Sequence, residues 1–217
     1  MADRRAAKER PMTIHLHHND LPADVDLGSV IAIDTETMGL QTARDRLCLV
    51  QLSAGDGDAH LVKMSKADRP LKAPNLAAQL NDPARLKLFH FARFDIAALK
   101  YWLNIDCAPV YCTKIASKLA RTYTDRHGLA ELCREILATD MSKQQQSSDW
   151  GAPELSEAQK IYAASDVLHL HALRARLDTM LAREGRDHLA QACFDFLPHR
   201  VALDLAGFGN GDDIFQH

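Results

Sequence analysis

The chain has 217 residues, 47% of them hydrophobic, enough for one sizeable domain with its own core or two small ones. Its 26 Lys and Arg against 29 Asp and Glu leave a formal net charge of −3, which excludes a global basic field for nucleic acid or an anionic membrane, so any phosphate binding must be local. Runs of about 18 apolar residues, the length a membrane-spanning helix needs, do not occur, and five cysteines in mostly apolar segments suit reduced thiols in the cytoplasm.

Residues 1–11 are charged and Ala-rich with no apolar core of a signal peptide, and are expected to form a flexible tail before a single domain over residues 12–217. Thr13 to His17 alternates as a strand does, with His15 and His17 on one face. No third metal ligand follows nearby, so they read as edge-strand residues.

Val30 to Ile33 is an apolar run that stops at Asp34-Thr-Glu36. Alternate residues of a strand share a face, so Asp34 and Glu36 project together from its end. Two anions side by side push one another toward protonation and call for a cation or solvent. Leu47 to Ser53, a turn at Gly55 to Asp58, and Ala59 to Met64 follow as two more strands. Short connections imply antiparallel pairing.

From Ala73 the period becomes helical, Asp82-Pro83 stops that helix, and Leu86 to Phe91 reads as a buried strand leading into a helix with Asp95 in its first turn. A strand reached after a crossover helix implies a parallel pair, hence a mixed sheet. Pro109 to Cys112 adds a short strand, and Thr113 is expected to cap the helix after it. Two polar loops, residues 121–128 and 142–151, flank a helix through Leu129 and Leu137, and such loops are where binding groups sit. Ser156-x-x-Gln159 opens a long helix with a capping-box pattern. It carries Tyr162 and Asp166, four apart and so on one face. A last helix is expected to end before Pro198.

Asp34-x-Glu36, His90-x-x-x-x-Asp95 and Tyr162-x-x-x-Asp166 together are far more specific than any one of them. These blocks resemble the DEDD superfamily of 3′→5′ exonucleases, in the branch whose third motif is Tyr-x-x-x-Asp, since position 161 is Ile rather than His. The run from Ser148 to Asp166 is similar to that of ribonuclease D, which continues into helical HRDC domains, whereas this sequence ends at His217. The segments at 90–95, 111–117, 121–128 and 143–150 look closest to the nanoRNase C family. That family comprises bacterial single-domain enzymes that degrade very short RNAs, dinucleotides above all, as ring-shaped octamers.

The resemblance implies an α/β, RNase H-like exonuclease fold: a mixed five-stranded sheet with flanking helices. It implies a catalytic set of Asp34, Glu36, Asp95, Tyr162 and Asp166. The four carboxylates would bind two Mg²⁺ or Mn²⁺ ions, about 3.5–4 Å apart in such sites. Oxygen ligands favour hard cations over zinc. Tyr162, with a free pKa of about 10, would orient the attacking water rather than act as a strong base. Thr37 would lie against the terminal 3′-hydroxyl and Leu40 against the last base. Arg121, Arg126, His127 and Lys143 on the polar loops would bind the far phosphate. The expected substrate is short single-stranded RNA, with short DNA as a second class. Two alternatives stand beside the dinucleotidase: a ribonuclease D-like enzyme trimming longer 3′ ends, and a catalytically silent nucleic-acid-binding module of the same fold.

Overall fold

The computed structural model describes residues 12–142, 144–209 and 214. The expected N-terminal tail and Lys143 lie outside them. Six strands form one sheet in the order β1-β4-β3-β2-β5-β6: β1 (Thr13–His18), β2 (Val30–Thr37), β3 (Leu47–Ser53), β4 (Asp58–Lys63), β5 (Leu86–Phe89) and β6 (Val110–Cys112). β2, β3 and β4 pair antiparallel, while β5 joins β2, β6 joins β5 and β1 joins β4 in parallel. The sheet is therefore mixed as expected, with six strands rather than five. Both short outer segments, Thr13–His18 and Val110–Cys112, find a paired neighbour.

Among the described residues seven α-helices flank the sheet: α1 (Pro74–Leu80), α2 (Ala92–Leu103), α3 (Thr113–Ala120), α4 (Leu129–Leu132), α5 (Glu157–Leu168), α6 (Leu170–Arg183) and α7 (Asp187–Leu203). Wide π turns extend α4 through Leu137 and α7 through Phe208. The long helix expected after Ser156 is two, α5 and α6, meeting at His169. Nor does the last helix stop at Pro198, which lies inside α7. Proline removes one helical N–H bond, but Phe194, Leu197 and Val201 lie on one helical face and are all buried in the core. Their burial outweighs the missing bond. Among the described residues no helix is long and apolar enough to cross a membrane.

The strand β3 is buried along its whole length, as a strand covered on both faces must be. A large core joins Ile31, Ile33, Leu52 and Phe89 to Leu99, Leu173 and Val201. A smaller one, with Leu49, Leu61, Trp150, Leu155 and Ala163, seats α5 on the sheet. That seating brings Asp166 to the strand that carries Asp34 and Glu36.

Candidate active site

The site begins on β2. Val30 to Ile33 pair with β5, and from Ala32 on the strand pairs with β3, so Asp34 and Glu36 stand just past the end of the β5 pairing on a backbone still held by β3. The β2–β3 register slips between Glu36 and Thr37, leaving Cys48 as the extra residue of a bulge. Bulges re-aim side chains where a strand leaves its sheet. Beyond it the chain turns tightly at Gly39, where a Cβ would overlap the Asp45 carboxylate. Thr37 Oγ1 donates to the Gly39 carbonyl, and Leu40 is left 84% exposed at the tip of the turn.

The helix α5 supplies the other half. Its capping box is formed as expected: Gln159 N donates to Ser156 Oγ (3.2 Å) and Gln159 Oε1 accepts from Ser156 N (2.9 Å). Gln159 Nε2 also donates to Ser148 Oγ (3.2 Å) and the Asp149 carbonyl (3.1 Å), tying the polar loop to the helix start. Lys63 Nζ on the Trp150 carbonyl (2.9 Å) and Arg46 on the Gly151 carbonyl (3.2 Å) fasten that loop from the sheet side. Tyr162, and Asp166 one turn further along α5, face β2.

Asp34, Glu36 and Asp166 each offer a carboxylate oxygen within 4.8 Å of the others. Together with Tyr162 they line a cleft of about 320 Å³. Asp95, buried in the first turn of α2, accepts a hydrogen bond from Thr35 Oγ1 (2.7 Å). It stands beside the trio rather than within it, near enough that its charge acts on Glu36. Burial pushes the Asp34 carboxyl up to about 7. Burial, then the charges of Asp34, Asp166 and Asp95, push Glu36 up to about 10. Asp95 and Asp166 are likewise held well above the usual carboxylate range by burial first and by Asp34 second. Tyr162 is raised above its ordinary value by burial and by the Asp166, Glu36 and Asp34 charges, so it remains a phenol.

The far wall of the cleft carries His90, Phe91, Lys114 and Gly128 to Glu131, and the polar loop adds Met141, Ser142 and Gln146. Thr113 is not the cap of α3: it is the helix's first residue, and its Oγ1 donates to the Phe89 carbonyl (3.2 Å) and meets His90 Nδ1 (2.9 Å). Burial, with Lys114 second, pushes the His90 imidazole down to about 3, so it is neutral. Phe91 adopts the left-handed conformation (φ 67°) and is 48% exposed, with the Lys114 ammonium 4.2 Å from its ring centroid.

The basic loop residues lie elsewhere. Arg121 is 2% exposed. Its guanidinium donates to the Arg126 carbonyl (3.0 Å) and Ser117 Oγ (3.3 Å) and forms an ion pair with Glu135. His127 Nδ1 meets Ser117 Oγ (2.8 Å), and Arg126 is exposed, 3.9 Å from Glu135. None of the three lines the cleft; among its described lining residues the lysine or arginine is Lys114. Sequence reading missed Lys114, Thr35 and Gln51, whose Nε2 donates to Asp34 Oδ2 (3.2 Å). For Gln51 a signal existed: an amide amid the apolar strand Leu47–Ser53 needs a buried partner.

A model of the 3′-5′ exonuclease family matches residues 16–182. The structure is similar to that of Brucella melitensis NrnC bound to pGG (TM-score 0.90, 54% identity, covering 95% of this chain and 99% of that one). It is equally similar to the same protein with bound Mg²⁺ (TM-score 0.89, 53% identity, 95% and 100% covered). Ribonuclease D of Gluconacetobacter diazotrophicus is 35% identical over 156 residues, 72% of this chain and 39% of that protein. The chain thus spans about two fifths of the length of the curated relatives it matches.

Proposed function

Because the chain belongs to the 3′-5′ exonuclease family, we propose that it hydrolyses very short single-stranded RNAs, dinucleotides above all, to 5′-mononucleotides. The observation that carries this reading is the convergence of Asp34, Glu36 and Asp166 oxygens within 4.8 Å in a cleft of about 320 Å³. Such a volume is at the small end of ligand pockets and suits a substrate of a few groups rather than a long strand. NrnC, with pGG and with Mg²⁺ in its structures, supports both the substrate class and the cation.

The donor set fits hard divalent cations. It is made of carboxylate oxygens without sulfur or imidazole, the ligands that suit Mg²⁺ or Mn²⁺. Its mutual repulsion, visible in the raised pKa values, is what a divalent charge relieves. Asp34, Glu36 and Asp166 would hold two such ions, with Asp95 completing the set. When bound, the ions supply acidity to the attacking water and charge stabilisation to the departing 3′ oxygen.

The chain's own groups do the rest. Tyr162, kept neutral, orients the attacking water with its hydroxyl. Thr37 lies against the terminal 3′-hydroxyl, and the exposed Leu40 packs against the last base. Lys114 takes the substrate's far phosphate, and His90, being neutral, does not repel the Lys114 ammonium. The ring-shaped octamer is the proposed assembly, tested by light scattering. Cytoplasmic RNA turnover is the proposed setting.

End-labelled RNAs of graded length, incubated with Mg²⁺ and with chelator, test the function. Dinucleotides should be consumed far faster than longer strands, and chelator should stop the reaction. Progressive shortening of long strands at equal rates would instead establish the ribonuclease D-like trimming reading, and no hydrolysis with any cation would establish the silent binding module.

A further inference from the structure

The strand β3 places Gln51 directly opposite Asp34 in the antiparallel register, and Gln51 is fully buried. Its Nε2 donates to Asp34 Oδ2 (3.2 Å). The other end of the same amide, Oε1, is buried without a hydrogen-bond partner. Leaving an acceptor unsatisfied in the interior costs the fold stability. Packing does not explain the residue either, since four of its six strand neighbours are Leu47, Leu49, Val50 and Leu52 and a methionine would fill the same length without the orphaned oxygen.

What the amide supplies is a fixed donor. An ionised carboxylate is acceptor-only, so the amide must present Nε2 to it, and one oxygen of Asp34 is then held in place from the neighbouring strand. The trio of carboxylates contains no second fixed donor to Asp34 among the side-chain hydrogen bonds of the described residues.

We infer that Gln51 is a positioning residue: it fixes the Asp34 carboxylate in the orientation that cation binding requires. The inference rests on the proposed role of Asp34 as a cation ligand. Partners that orient a ligand in this way are worth about 10–100-fold in metal affinity. A purely structural role would show as lost stability with cation affinity intact.

The experiment compares wild type, Gln51→Met and Asp34→Asn. Mg²⁺ affinity is measured by calorimetry, Mn²⁺ affinity by electron paramagnetic resonance, and folding by thermal melts in chelator. Gln51→Met should weaken cation binding by about 10–100-fold, hold its melting temperature in chelator, and recover dinucleotide turnover as Mg²⁺ is raised. Gln51→Asn keeps the amide but withdraws it from Asp34 by one methylene, and carries the same expectation should the methionine variant not fold. Wild-type cation affinity in the Gln51 variants, with affinity lost in Asp34→Asn, would overturn the inference and leave the site reading standing. Wild-type affinity in Asp34→Asn would overturn both.

Discussion

At Asp34 two demands compete. The strand end buries the carboxylate, and burial alone pushes its pKa up to about 7, while cation binding requires it ionised. A carboxylate raised in the folded state binds protons more tightly there than in the unfolded chain, so its contribution to stability is present below about pH 4 and is lost as pH rises through the folded value. In chelator the protein should therefore lose stability between about pH 4 and 7. The stabilisation conferred by Mg²⁺ should grow over the same interval, because the cation replaces protons. Melting curves with and without Mg²⁺ across that range check this; a Mg²⁺ effect independent of pH would contradict it. By the same reasoning Asp34→Asn and Asp166→Asn should remove hydrolysis by more than the about 10–100-fold expected of an outer partner, yet melt at or above the wild-type temperature in chelator, since crowded anions are relieved.

At the scale of elements, the site depends on how α5 and the edge of the sheet are held. The box at Ser156 and Gln159 caps α5, and Gln159 also grips the loop at Ser148 and Asp149. Ser156→Ala should cost about 1 kcal/mol, read as a shifted urea midpoint. The parallel edge strand β1 carries a different device. His15 and His60, opposite one another in register, stack at 4.7 Å, and His17 Nε2 meets His60 Nδ1 at 3.0 Å. Burial first and the neighbouring imidazoles second hold His17 and His60 below the ordinary value. Lowered histidines stabilise the fold above about pH 6.5, and that stability is lost as pH falls below it. Amides of β1 should therefore lose hydrogen-exchange protection below about pH 6 before those of β2. Equal protection of both strands would refute the role of the stack.

Across the whole molecule, Arg121 shows how position in the fold decides a residue's work. Sequence places it on a polar loop beside a presumed phosphate; the structure buries it among Ser117, Arg126 and Glu135. Arg121→Met should cost about 1–3 kcal/mol by removing the buried guanidinium's ion pair with Glu135 and its hydrogen bonds to Ser117 Oγ and the Arg126 carbonyl, with turnover per folded molecule unchanged. Denaturant melts paired with dinucleotide kinetics separate the two roles, and a raised KM at unchanged stability would return Arg121 to the substrate. The one cation lining the cleft among the described residues, Lys114, is expected to behave in the opposite way: Lys114→Met should raise KM and leave stability nearly unchanged.

The sequence by itself determined what is local. The apolar run ending at Asp34 and Glu36, the short turn joining β3 to β4, the capping box at Ser156, and the four-residue spacing of Tyr162 and Asp166 are written in neighbouring residues, because strand and helix periods act over a few positions. Its acidic and tyrosine motifs sufficed to point to the exonuclease family. Only the tertiary structure decided what depends on packing between distant segments. It set Asp95 against Thr35 instead of inside the trio, carried α7 through Pro198, and laid β1 parallel to β4 as a sixth strand. It also placed Gln51 on Asp34 and Lys114 in the cleft. These outcomes follow from which surfaces bury together, a choice made by the whole chain at once and written in no single stretch of it.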